Sequence, residues 1–176
     1  MNWEEFEVEV RSLVVRALQE LQGEHSGEQF YAFALYTDSS AMTIALAGNS
    51  LEALELKLQE EDEEDREVSR QYYKWAASEW QYEAWRGELF RNACKALREA
   101  DGRADILTFR KELYSVMTNI LNTLRQGDFF QAFIVQEPTL FVTVTDDDAA
   151  ESVENETAKI LNSPPMYKNF INRFDG

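Results

Sequence analysis

Cysteine and histidine are nearly missing from this chain of 176 residues, which has one of each, Cys94 and His25. Two such residues leave almost nothing for a zinc or haem site, thiol chemistry or a Ser-His-Asp triad. A lone cysteine cannot close a disulfide within the chain, which fits a reducing cytoplasm. Glycine is sparse, at seven residues, and there is no Gly-rich phosphate loop, GxSxG elbow, HExxH or CxxC. A nucleotide cradle is therefore not expected. Long apolar runs are lacking too: the most apolar stretches, 30–36 and 129–135, fall far short of the ~20 residues of a membrane helix. The start, Met1-Asn2-Trp3-Glu4-Glu5, has neither the positive nor the apolar region of a signal peptide. Positive charge is the last shortage, with 17 Lys+Arg against 33 Asp+Glu and a net charge of −16. Such a chain repels nucleic acid and anionic lipid, so the expected partners are basic proteins or cations. The expectation is a cytoplasmic protein without cofactor, metal, membrane or nucleic-acid partner, and not an enzyme.

What is present can build a core. Hydrophobic residues make up 44% of the chain and aromatics 12%, enough for one domain over residues 1–176. Trp3, Phe6, Val10, Leu13, Val14, Ala17, Leu18 and Leu21 recur at helical steps, with Asn2 as cap and Gly23 as stop. Residues 30–36 read as a strand covered on both faces, and 42–47 as its half-buried hairpin partner across the turn Asp38-Ser39-Ser40. Asn49 is predicted to cap a helix carrying Leu51, Leu54, Leu56 and Leu58. Ser78-Glu79-Trp80-Gln81 matches a capping box and predicts a further helix start. Leu89, Phe90, Ala93 and Leu97 mark one helix, and Ile106, Phe109, Leu113, Met117, Ile120 and Leu124 a longer one ending at Gly127. Residues 129–135 and 139–145 read as a second hairpin with Pro138 in its turn, before a helix to Leu161 that Pro164-Pro165 breaks. The predicted fold is α+β, a four-stranded, mainly antiparallel sheet of two hairpins packed by about five to six helices.

Three segments carry a family resemblance. They are Phe30-Tyr31-Ala32-Phe33-Ala34-Leu35-Tyr36-Thr37-Asp38, Ala47-Gly48-Asn49-Ser50-Leu51-Glu52, and Tyr73-Lys74-Trp75 with Glu79-Trp80-Gln81-Tyr82-Glu83. Together they resemble the bacterial family known as domain of unknown function 4303 (DUF4303), over nearly the whole chain. The resemblance implies a single bacterial α+β domain and no established activity. Families of this size and kind often serve as immunity proteins beside secreted toxins, an analogy of kind alone.

Two acidic runs draw notice. Glu60, Glu61, Asp62, Glu63, Glu64 and Asp65 follow one another and cannot all be buried. They read either as a solvated surface or as a docking face for a basic protein, whose binding would be salt-sensitive. Asp146, Asp147 and Asp148 follow the last strand and extend the candidate docking face for a basic partner; for them helix capping and dipole compensation outweigh a metal site, since consecutive acids do not converge. Glu79 and Glu83, among Trp75, Trp80 and Tyr82, form the one acid-in-aromatic setting, to be read as a cleft or as packing. His25 reads as a surface loop residue and Cys94 as a small buried hydrophobe. The favoured function is an immunity-type domain neutralising a basic, nuclease-like toxin by direct binding. The alternatives are a carboxylate-dependent enzyme, or a small-molecule or peptide binder using residues 75–85.

Overall fold

The computed structural model describes residues 1–133 and 137–174. At its centre lie three strands in the order β2-β1-β3, with β1 at Phe30–Asp38, β2 at Ala45–Ser50 and β3 at Thr139–Thr145. β1 pairs antiparallel with β2, setting Phe33 opposite Gly48, and parallel with β3, setting Phe33 opposite Leu140. The described residues form seven α-helices. They are α1 (Trp3–Glu24), α2 (Leu51–Leu58), α3 (Arg66–Trp75), α4 (Arg91–Glu99), α5 (Ile106–Gln126), α6 (Ala150–Leu161) and α7 (Pro164–Ile171). The α+β class holds. The four-stranded, mainly antiparallel sheet with five to six helices does not, because the sheet is three-stranded and mixed.

The second hairpin fails for a packing reason. Phe129–Phe133 is a 3₁₀ turn, while Ile134 and Val135 lie outside the described residues. A 3₁₀ turn puts residues three apart on one side. Phe130 and Phe133 therefore both reach the core, with ring centroids 5.4 and 5.3 Å from that of Phe33. β3 instead joins β1 through the long connection that a parallel pair requires.

The outer edge of β3 is taken by side chains of α6 and of the residue that ends it. Leu140 N–H donates to Asn162 Oδ1 at 2.8 Å, Asn162 Nδ2 donates back to the Leu140 carbonyl at 2.7 Å, and Val142 N–H donates to Thr157 Oγ1 at 3.0 Å. The edge of β2 is covered by chain: Gly48 N–H donates to the Tyr82 carbonyl at 3.2 Å, and Trp85 N–H to the Leu46 carbonyl at 2.9 Å. Occupied edges offer no template to a further strand.

Period-two alternation splits the core between the two faces of the sheet. Phe33, Leu35 and Leu46 meet Val10, Val14 and Leu18 of α1 and Leu113, Met117 and Ile120 of α5. Ala32, Ala34 and Ala47 face the other way, where Trp75, Trp80, Phe141 and Phe170 lie over them. A Cβ on Gly48 would stand 2.8 Å from Phe33 Cδ1, so the close approach of that ring requires glycine.

Several boundaries move for identifiable reasons. The Asp38 carboxylate accepts from Ser40 N–H, Met42 N–H and the Thr43 hydroxyl, which holds residues 38–43 as a turn and delays β2 to Ala45. Ser50 caps α2, accepting from Ala53 N–H at 3.0 Å, so Asn49 stays in the strand. The capping-box residues at Ser78 yield only a 3₁₀ turn, Ala77–Glu79. α1 runs through Gly23 to Glu24, and Pro164 and Pro165 open α7, where their missing N–H groups cost nothing.

Candidate functional site: an acidic face

The acidic run 60–65 is the connection between α2 and α3. Glu60, Asp62, Glu63, Glu64 and Asp65 are exposed, and none forms an ion pair among the described residues. The last four ring a shallow concavity of about 480 Å³. Glu61 differs. It accepts a hydrogen bond from the Tyr73 hydroxyl, which pushes that phenol up to about 12. Lys57 Nζ lies 4.5 Å from the Tyr73 ring centroid, so Glu61 belongs to the α2–α3 contact. Exposed beside this run are Leu56, Val68 and Tyr72, at 64%, 79% and 52%.

From Glu60 the negative surface continues across two depressions that meet at Ser78. The first, about 420 Å³, is lined by Glu60, Glu79 and Glu83 with Lys57 and Trp80. The second, about 310 Å³, lies at the carboxyl ends of β1 and β3 and is lined by Tyr36, Thr143, Asp146, Asp147 and Glu154. Six carboxylates thus face one basic side chain among the described lining residues, Lys57, which pairs with Glu79 at 2.6 Å. The sequence-predicted residues Glu60, Glu79, Glu83, Asp146 and Asp147 are brought onto one face; Asp148 is exposed just beyond it.

These carboxylates do different things. Asp147 pairs with Arg110 and accepts Ala149 N–H at 2.8 Å just ahead of α6. The backbone N–H and then Arg110 hold its carboxyl below the usual range. Asp146 takes a left-handed turn, φ 56°, and leaves its side chain exposed. Glu83 accepts from the Tyr36 hydroxyl; burial, then this carboxylate, push the Tyr36 phenol far up. Glu154 lies deeper, accepting from Thr143 Oγ1 at 2.6 Å and from Arg173 Nη2 at 2.7 Å. Among the described residues no group of three or more His, Cys, Asp or Glu is placed to hold a metal ion, and no helix is long and apolar enough to cross a membrane.

The aromatic segment forms no single cleft. Trp75 and Trp80 are buried on the alanine face of the sheet, where Trp75 meets Phe170 at 5.2 Å and Trp80 meets Phe141 at 5.7 Å. Tyr82 is buried in the opposite cluster, 5.3 Å from Phe30. The chain covers the β2 edge between Trp80 and Trp85, which divides these rings between two cores. Glu79 and Glu83 are left at the surface with Lys57 and Tyr36 as partners.

Residues 10–163 match the family described as Domain of unknown function (DUF4303). The chain belongs to that family. No curated protein and no solved structure matches it. In this DUF4303 chain the segments that carry the resemblance are architectural. Residues 30–38 are the central strand, 47–52 form the junction of β2 with α2, 73–75 end α3, and 79–83 lead onto the β2 edge.

One polar cluster of this DUF4303 chain has no motif in the sequence. Glu28 Oε1 accepts from the Tyr82 hydroxyl at 2.6 Å and lies 2.9 Å from His25 Nδ1, while Oε2 accepts from the Ser50 hydroxyl. Tyr82 has one proton and gives it to Glu28, so the proton on His25 Nδ1 completes the set. Burial alone would raise the Glu28 carboxyl; the bonds from Ser50, Tyr82 and His25 outweigh it and hold it low. His25 is thus half-buried against Tyr82 and Trp85 rather than free in a loop. Its partners Glu28 and Tyr82 lie 3 and 57 positions away in the chain, and the closing of β2 onto residue 82 completes the cluster. Cys94 is partly buried, with Sγ 3.4 Å from Ile44 N.

Proposed function

We propose that this protein is a binding domain of the immunity type, which uses its acidic face to hold and neutralise a basic, nuclease-like toxin domain in the cytoplasm. The observation that carries the reading is the continuity of that face. The negative surface starts at the exposed carboxylates of 60–65, which have no ion pair among the described residues. It runs through the depressions at Ser78, whose Glu79, Asp147 and Glu154 are paired, to the carboxyl ends of β1 and β3. Ionised groups left without cationic partners repel one another, and a basic partner relieves that repulsion as it docks. Leu56, Val68 and Tyr72 supply exposed apolar area beside the charge, the combination of apolar anchor and polar rim that protein interfaces use.

The direct experiment is co-expression with the product of the adjoining reading frame, reading survival and co-purification at low and high salt. The expected result is a neighbour lethal alone, rescued growth, and a complex that weakens as salt rises. Reversing Glu60, Glu63 and Glu64 to Lys is expected to weaken the complex about tenfold or more while the thermal melt stays in place. Glu61 is left alone because it holds Tyr73. A harmless neighbour, or a triple reversal that binds as before, overturns the reading.

A further inference from the structure

A second cavity, of about 310 Å³, lies at the other end of the sheet from the acidic depressions. Tyr31 borders it near the start of β1, whereas Tyr36 borders the acidic one, five residues or about 16 Å further along the strand. The volume is at the small end of ligand pockets, about 300–1,000 Å³. Its walls come from the end of α3, the starts of β1 and β3, and α7.

Charge in this cavity is balanced, one cation against one carboxylate, where the acidic depressions are strongly negative. Two ionisable side chains with ordinary charge line it, Lys74 and Glu137. Glu137 is already paired, with Arg125 Nε at 3.1 Å. Lys74 forms no ion pair or side-chain hydrogen bond among the described residues; its Nζ lies 5.2 Å from the centroid of the Trp75 ring. In a chain with 33 carboxylates, a half-buried ammonium without one is conspicuous. Its burial, then the nearby Arg70, lower the Lys74 pKa. An anion delivered to this site would relieve both effects.

The site is also held in place. The Lys74 carbonyl accepts from the Tyr31 hydroxyl at 2.9 Å and from Trp80 Nε1 at 3.2 Å, which fixes the backbone that carries the ammonium. Around it stand Trp75, Phe30, Leu51 and Met166 as apolar wall, with Thr139 and Asn169 as polar groups. A cation carried on a fixed backbone beside an apolar wall matches a carboxylate on an apolar body, by charge-assisted hydrogen bond at one end and area burial at the other.

We propose that this cavity binds a small organic acid, a carboxylate on an aromatic or apolar body, with Lys74 as its counter-ion. The site is independent of the acidic face and of the partner proposed for it. The alternative role for Lys74 is to offset the carboxyl-terminal dipole of α3, which needs no ligand.

The test uses the whole chain and 4-hydroxyphenylacetate as probe, with 4-hydroxyphenylacetamide as its neutral counterpart. Binding is read by calorimetry and by ¹H–¹⁵N shifts of Lys74 and Trp75. The acid is expected to bind saturably and the amide about tenfold or more weaker. Lys74→Met is expected to abolish the preference for the acid, and Lys74→Arg to keep it. A melt of each variant confirms folding. Equal binding of acid and amide, retained preference in Lys74→Met, or no saturation by about 10 mM each overturns the proposal.

Discussion

Arg173 and Glu154 show how a single pair can fix the end of this chain. The Arg173 side chain is 1% exposed and that of Glu154 16%, with 2.7 Å between Nη2 and Oε2. Arg173 Nη1 also donates to Asn155 Oδ1 at 2.7 Å, and the guanidinium lies 4.1 Å from the Phe170 ring centroid. Burial raises the Glu154 pKa even though Thr143 and Arg173 lower it. Removing one partner of a buried pair leaves the other uncompensated, so Arg173→Met is expected to cost about 3 kcal/mol. A raised folded pKa means that Glu154 favours folding most below its unfolded value of 4.5 and loses that as pH rises through the folded value. Without Arg173 the carboxyl is raised further, so the loss should be larger near about pH 7 than near about pH 4, where Glu154 is protonated in both states. Adding Glu154→Gln should recover part of the neutral-pH loss. Urea unfolding of both variants at the two pH values checks this; a pH-independent loss would assign the cost to packing against Phe170.

At the scale of elements, the sheet stops at three strands because side chains serve as the missing neighbour. Asn162 answers both backbone groups of Leu140 and also donates to the Ala158 carbonyl at 2.8 Å, tying β3 to the end of α6. Asn162→Leu would leave a buried N–H and C=O unpaired, at about 1–3 kcal/mol each. The expected loss is therefore about 2–6 kcal/mol, read by urea unfolding. The bared edge should also raise self-association, read by light scattering. An Asn162→Leu protein as stable as the parent would show that the edge is satisfied otherwise. Nothing local in the sequence marks Asn162 for this work; a lone asparagine after a helix reads as a cap or turn residue.

Over the whole molecule the charge sets the balance. A net charge of −16 opposes compaction, and the carboxylates of 60–65 concentrate that repulsion in one loop. Salt screens it beyond a Debye length, about 10 Å at 0.1 M and shorter as salt rises. The paired carboxylates lose a little by the same screening, but exposed pairs such as Arg16–Glu20 and Lys95–Glu99 are worth little. The melting temperature is therefore expected to rise from low salt to about 0.5 M NaCl. A fall would mean that ion pairs, not like-charge repulsion, dominate the electrostatics. The same salt series weakens a complex on the acidic face, so stability and binding should respond with opposite signs.

What the sequence determined by itself is what local physics can set. Apolar spacing placed α1, α5 and the residues of β1, and composition set the net charge of −16, because helical period, alternation and ionisation need no distant partner. The resemblance carried by residues 30–38, 47–52, 73–75 and 79–83 gave the family on the same terms. Tertiary structure decided the rest. Residues 129–135 are apolar enough to read as a strand, yet Phe33 offered the rings of Phe130 and Phe133 a better place, and side chains of α6 and Asn162 filled the outer edge of β3. It also split Trp80 from Tyr82, gathered His25, Glu28, Ser50 and Tyr82, and joined two distant acidic runs across Ser78. Each of those outcomes depends on contacts between residues far apart in the chain, which form only when the sheet closes.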